Sequence, residues 1–415
     1  MKRGIYNLVL AVLIVSCGPG KRENNGDDVP MDAPPDAQCI TALTGKVFAP
    51  NGTTPLNNVM VYVPFSEPPI FPAGVQCTIC DGPPGQAVVQ TLTDAEGKFR
   101  LEGIPTSVGG IQVAVSTGKW LRTVTLPPPG LCIDNPVPDG MLRLPKNKSE
   151  GQMPHIAVTT GGCDPLACIL PKLGIDAAEF GTDSNGPKAV TFYNGSGGTA
   201  PGTPATAETL WGNINELKKF DIVINSCECS EVTTNKTAPD VLRQYADMGG
   251  RVFGSHYHYI WTRDLIPQWQ PTATWATGSS VGPDLVDTSH PGGQALATWL
   301  VAVGASSTPG QITLSQKIPN ATSVNPPTTR WLYTQATNVT HYLSFKTPVG
   351  AMPENQCGKV VYAGMHVASG SVSTSFPTGC TAGLTADEKA LVFLLFDLGS
   401  CSGPIGIKPP STPGL

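Results

Sequence analysis

Hydrophobic and polar positions follow three successive patterns along the chain. Residues 5–15 form a short apolar run behind Lys2 and Arg3, ending at Ser16-Cys17. The run is too short to stay in a bilayer as a spanning helix, so residues 1–16 read as a cleaved signal peptide. Residues 18–38, GPGKRENNGDDVPMDAPPDAQ, hold almost no large apolar side chains, and 17–38 is expected to be a disordered tether. Over 39–145 short alternating runs recur at Thr44–Phe48, Val59–Val63, Val88–Thr93, Lys98–Glu102, Ile111–Ser116 and Leu121–Leu126. Turn residues such as Pro50-Asn51-Gly52 and Asp94-Ala95-Glu96-Gly97 separate them. Period-2 runs with turns at even spacing predict an all-β sandwich.

Residues 146–153 are polar and turn-rich and read as a linker. From 154 to 401 strands alternate with helices. Strands are expected at His155–Thr159, Ala189–Tyr193, Phe220–Asn225, Arg251–His256 and Lys359–Gly364. Helices are expected at Leu166–Leu173, at Glu208–Lys219 and after Thr237 as N-cap, where Val241, Leu242, Tyr245 and Met248 share one face before Gly249. A last helix opens with the capping box Thr385-Ala386-Asp387-Glu388. Strand, capped helix, strand implies parallel pairing. The expected architecture is multidomain, a β-sandwich followed by a doubly wound α/β domain, with a flexible tail over 402–415.

Composition narrows the function classes. Charged residues make up only 14%, and the net charge of −5 becomes −7 once Lys2 and Arg3 leave with the signal. No basic run or stripe is present, so no nucleic-acid partner is expected. Twelve cysteines suit an oxidising compartment. With Cys17 set apart, an odd number remains, so at least one is unpaired within the chain. Cys77-x2-Cys80 has no second pair of the same spacing to complete a zinc site.

Three resemblances follow. Val12-Leu13-Ile14-Val15-Ser16-Cys17 resembles a bacterial lipobox, which implies lipidation at Cys17, membrane contact through that lipid, and an outer-membrane or cell-surface address because Gly18 replaces an inner-membrane aspartate. Leu43-Thr44-Gly45-Lys46-Val47, Pro55-Leu56-Asn57-Asn58-Val59 and Thr93-Asp94-Ala95-Glu96-Gly97-Lys98-Phe99 resemble the carboxypeptidase regulatory-like family, which implies a transthyretin-like sandwich without catalysis. The insert Pro64–Gly85 departs from that pattern, and a disulfide is expected to order it. Phe220-Asp221-Ile222-Val223-Ile224, the stretch Leu242–His256, Ser289-His290-Pro291 and Val360–His366 resemble the class I glutamine-amidotransferase-like superfamily in its trehalose-utilisation (ThuA-like) branch. That implies a flavodoxin-like sheet with its site at the strand ends.

In active amidotransferases the elbow after the fourth strand holds a cysteine, and a later histidine activates it. Here His256 takes the elbow position and His366 matches the activating histidine, so glutaminase chemistry is not expected. Gly254-Ser255-His256-Tyr257 lacks the second glycine of a serine elbow, which argues against Ser255 as nucleophile. Three histidines fall at strand ends, and a divalent metal site is conceivable from His256, His258 and His366 with Glu228. Cys227 and Cys229 are expected to be in disulfides. Tyr257, Tyr259 and Trp261 offer a saccharide-stacking face, or else core filler. The expected function is binding or structural, at the cell envelope, toward a saccharide or another envelope component. The alternative is an envelope hydrolase at a His256/His366 crevice, with His366 as general base.

Overall fold

The computed structural model describes residues 39–77, 82–315, 317–366, 372 and 376–400. The expected signal, tether and tail, with Cys17, Cys80 and Cys401, lie outside the described residues.

The alternating runs of the first region form strands β1 (Ala42–Lys46), β2 (Met60–Pro64), β3 (Ala87–Leu92), β4 (Lys98–Glu102), β5 (Ile111–Thr117), β6 (Trp120–Leu126) and β7 (Asp134–Pro136). They make two sheets, β4-β1-β7 and β3-β2-β5-β6. The period of two does the work: in β4, Phe99 and Leu101 are buried between exposed Lys98, Arg100 and Glu102. Leu43, Val61, Leu101, Val113 and Val115 meet in one core. Strand β7 has no apolar signal in Asp134-Asn135-Pro136, and backbone pairing with β1 creates it.

The second region contributes β8 (Ile156–Thr160), β9 (Phe180–Gly181), β10 (Val190–Asn194), β11 (Ile222–Asn225), β12 (Arg251–Ser255), β13 (Ala273–Trp275), β14 (Asp284–Val286), β15 (Gln311–Ile312), β16 (Ala321–Val324), β17 (Thr329–Thr334), β18 (Thr340–Thr347) and β19 (Gly358–Ala363). Its helices are α1 (Ile169–Lys172), α2 (Ala207–Trp211), α3 (Ile214–Leu217), α4 (Pro239–Asp247), α5 (Pro291–Ala302) and α6 (Ala386–Gly399). All twelve strands share one sheet, with β9-β10-β8-β11-β12-β19 parallel and β19-β18-β17-β14-β15 antiparallel. The parallel strands are buried on both faces. Ile224, Phe253 and Val361 meet Leu391 and Leu394 of α6, while Val223, Val252 and Val360 meet Leu242 and Tyr245 of α4.

Several expectations change in detail. The helix over Glu208–Lys219 is two short helices, parted at Gly212-Asn213, where Asn213 caps α3 through Asn215 N–H. Helix α4 starts on Pro239 with Ala238 at the N-cap, so Thr237 does not cap it. The capping box on α6 forms as expected, with Thr385 and Glu388 exchanging hydrogen bonds.

The stretch read as a linker is tied down. Arg143 clasps Glu150 with two bonds of 2.6 and 2.7 Å, and Glu150 also accepts from Lys146 N–H at 2.9 Å. Lys148 N–H donates to Glu179 at 2.8 Å, and Gln152 pairs with Leu121 of β6. The insert before Gly85 is held by a disulfide from Cys77 to Cys357, 280 residues away at the threshold of β19. Trp299 Nε1 of α5 donates to Pro55 O at 2.7 Å. One apolar core runs from Leu43 and Val61 through to Phe253 and Leu394. The described residues from Ile40 onward form a single compact unit. No helix among the described residues is long and apolar enough to cross a membrane.

Candidate functional site

The five strands β8, β10, β11, β12 and β19, taken in chain order, lie side by side as 2-1-3-4-5. Parallel sheets of this order bind ligands beyond the carboxyl ends of the strands, at the switch point between the first and third, here β8 and β11. In this chain that gap is stapled. Cys163 after β8 is bonded to Cys229 after β11, with Cα atoms 5.1 Å apart. Backbone fills the rest: a Cβ added to Gly161 would lie 2.0 Å from Cys227 O. The polar strand ends that remain available are those of β11, β12 and β19.

Strand β12 ends in a sharp turn. His256 has φ of 39°, in the left-handed region, and starts the short 3-10 turn His256–Tyr259. A β-carbon there costs about 1 kcal/mol or more. The turn folds back so closely that a Cβ on Gly254 would lie 3.1 Å from that of His258. His256 Nδ1 lies 3.0 Å from His366 Nε2, just past β19, and 3.4 Å from Cys227 Sγ, just past β11. The ligating atoms of Cys227, His256 and His366 all fall within 4.8 Å of one another. Cys227 is fully buried and is the free cysteine among the described residues. Among the described residues Cys227 is an unpaired thiol of the kind the odd cysteine count requires, and the disulfide expected at Cys227 is absent, Cys229 bonding to Cys163 instead.

Burial sets the charge state of this cluster. It pushes the Cys227 thiol up to about 11. It drives His256 down to about 3, with His366 and His258 adding to the effect. It lowers His366 as well. At neutral pH the cluster is a protonated thiol between two neutral imidazoles. Both shifts disfavour a thiolate–imidazolium pair, the activated form of a cysteine nucleophile.

The ligand set expected from the sequence changes. His258 is turned away: its Nε2 is 2.9 Å from Ser226 O, and its Nδ1 accepts from Trp261 Nε1 at 3.1 Å. The 3-10 turn puts it on the far side of the elbow from His256. Glu228 is engaged elsewhere, accepting from Ser196 N–H at 2.8 Å and Asn235 at 2.7 Å and forming a buried ion pair with Lys236. Cys227 takes their place beside His256 and His366. The odd cysteine count announced a free thiol without singling out Cys227, which was expected in a disulfide. Ser255 Oγ donates to buried Asp164 at 2.6 Å.

The saccharide face is corrected too. Tyr259 and Trp261 are buried, at 4% and 2% exposure, so neither ring can receive a sugar. Trp261 packs edge-on to Trp211, and Tyr259 stacks on Trp275 while its hydroxyl donates to Glu231. Tyr257 is half-buried, with its ring centroid 3.8 Å from that of His256. These aromatics are core and site wall.

No protein-family model matches the chain, and no curated protein matches it. Among solved structures, a ThuA-like protein from Bacteroides uniformis is a distant neighbour, at 12% identity and a TM-score of 0.30, covering 59% of this chain and 89% of that one. A mutant of a type II cohesin–X-dockerin complex from Acetivibrio cellulolyticus aligns at 12% identity and a TM-score of 0.18, over 35% of this chain and 78% of that one. At these scores neither carries chemistry across to the Cys227–His256–His366 cluster.

Proposed function

We propose that this is a lipid-anchored envelope protein whose amidotransferase-like crevice has a binding role in place of glutaminase chemistry. A transthyretin-like sandwich and a doubly wound α/β domain would form the body, held off the membrane by the tether behind lipidated Cys17. One observation carries the reading. The elbow side chain is His256, and the nearest described thiol, Cys227, is buried and follows the neighbouring strand β11. A glutaminase needs an activated thiol at the elbow itself. With Tyr259 and Trp261 buried, the partner is an envelope component recognised otherwise than by sugar stacking on those rings.

A second reading, an envelope hydrolase with His366 as general base, draws on the 3.0 Å contact between His256 and His366. That distance is short enough for proton exchange, as general acid–base chemistry requires.

The test uses cells making the full chain, wild type beside Cys17→Ser, treated with a glutamine-derived diazoketone that alkylates amidotransferase thiols. The wild type should partition with membranes, Cys17→Ser should be released, and Cys227 should stay unlabelled in both. Membrane retention of Cys17→Ser overturns the anchor. A labelled Cys227 overturns the binding reading in favour of a nucleophilic enzyme.

A further inference from the structure

We infer that Cys227, His256 and His366 form a three-ligand site for a borderline-soft divalent transition metal ion, zinc in the first place, with an open fourth position. The inference rests on reading this crevice as a binding centre. It does not depend on the lipid anchor.

Ligand chemistry comes first. One thiolate and two imidazoles are donors that zinc, cobalt and nickel accept and that magnesium and calcium do not. Three protein ligands with a fourth place left to water or substrate is the pattern of reactive rather than structural zinc sites.

Geometry agrees. Bond lengths of about 2.0–2.1 Å to nitrogen and about 2.3 Å to sulfur give tetrahedral ligand–ligand edges of roughly 3.3–3.6 Å. Two edges, His256 Nδ1 to His366 Nε2 at 3.0 Å and His256 Nδ1 to Cys227 Sγ at 3.4 Å, lie within a few tenths of an ångström of those values, and the third, Cys227 Sγ to His366, falls within 4.8 Å.

The three ligands also come from three adjacent parallel strands, so their spacing is fixed by the sheet. β11 pairs with β12 through Asn225 and Gly254, and β12 pairs with β19 through Ser255 and Ala363. Each ligand follows within three residues of its strand's last residue. The left-handed turn at His256 aims that ring between the other two. The neighbouring polar side chains have other partners: Glu228 pairs with Lys236, and Ser255 donates to Asp164. Finally, the Cys163–Cys229 disulfide removes Cys229, two residues along the chain, from competition and leaves Cys227 as the sulfur donor.

The experiment titrates Co²⁺ into chelator-treated full-length protein, followed by competition with Zn²⁺. One equivalent should bind, with a thiolate-to-cobalt charge-transfer absorption in the near ultraviolet and the intense visible bands of tetrahedral cobalt, all displaced by Zn²⁺. Cys227→Ser should lose the charge-transfer band. His366→Ala should bind more than about tenfold more weakly, since even the outer partners of metal ligands are worth about 10–100-fold. X-ray absorption of the wild-type zinc form needs no variant and should give one sulfur at about 2.3 Å and two imidazole nitrogens. Absence of stoichiometric binding, a band that survives Cys227→Ser, or a shell without sulfur overturns the site. Diazoketone labelling of Cys227 would instead count against the binding reading, and the two failures are therefore distinct.

Discussion

His256 concentrates the local physics of this protein. It carries a β-carbon through a left-handed turn, and it brings a neutral ring against a thiol and a second neutral ring. The backbone strain is separable from the side-chain chemistry. Both His256→Ala and His256→Gly remove the imidazole, but only glycine also relieves the turn. His256→Gly should therefore be more stable than His256→Ala by about 1 kcal/mol. Denaturant unfolding of the two variants checks this. An alanine variant equal to or firmer than the glycine one would mean the turn is not left-handed in solution. At this scale the sequence was informative about place and less so about partners. The order Gly254-Ser255-His256 marked the elbow, and His366 was legible as its counterpart. The pairing of Cys229 with Cys163, which frees Cys227, depends on β8 and β11 lying side by side, and that is a tertiary fact. The same holds for His258 and Glu228, whose hydrogen bonds run to Ser226, Trp261, Asn235 and Lys236 through a turn geometry that residue spacing does not encode.

At the scale of elements, strong periodicity gave reliable readings and mixed composition did not. Five of the six parallel strands are apolar enough to be legible within a residue or two, while the two-residue β9, Phe180-Gly181, was not foreseen. The antiparallel half of the sheet is built from stretches such as Ala321–Val324 and Thr329–Thr334, whose Thr, Val, Trp and Tyr suit strands but lack a clean apolar alternation to announce them. Helix α5 also hid. Its N-cap is His290, whose Nδ1 accepts from Gly293 N–H at 3.1 Å, a role usually given to Ser, Thr, Asp or Asn. The segment 143–150 illustrates how a polar, turn-rich stretch can be ordered by charge. Hydrogen bonds from Arg143, before any other cause, hold the Glu150 carboxyl from its ordinary 4.5 down to about 2. A carboxylate with a depressed folded-state value contributes stability that is complete above its unfolded value, about 4.3. That contribution fades as pH falls from there toward 2. Melting followed between pH 5 and pH 2 should accordingly decline less steeply in Glu150→Gln than in wild type. Parallel acid profiles would show that the clasp is not formed in solution.

At the scale of the whole molecule, the two regions that the sequence separates are welded into one unit. The Cys77–Cys357 bond, the Trp299–Pro55 hydrogen bond and a continuous apolar core join the sandwich to the α/β sheet. Composition alone could delimit the regions at the polar stretch 146–153, but it could not reveal that Glu150, Lys148 and Gln152 fasten this stretch on both sides. The covalent pattern also defines the site. One disulfide closes the switch-point crevice, another anchors the insert beside β19, and the thiol left over lies between two histidines at the strand ends. The most direct test of that arrangement is alkylation of the unreduced, unfolded full-length protein followed by peptide mapping. Cys227 should be recovered alkylated, with Cys163 linked to Cys229 and Cys77 linked to Cys357. Recovery of Cys227 in a disulfide, with either Cys163 or Cys229 carrying the label, would contradict that arrangement.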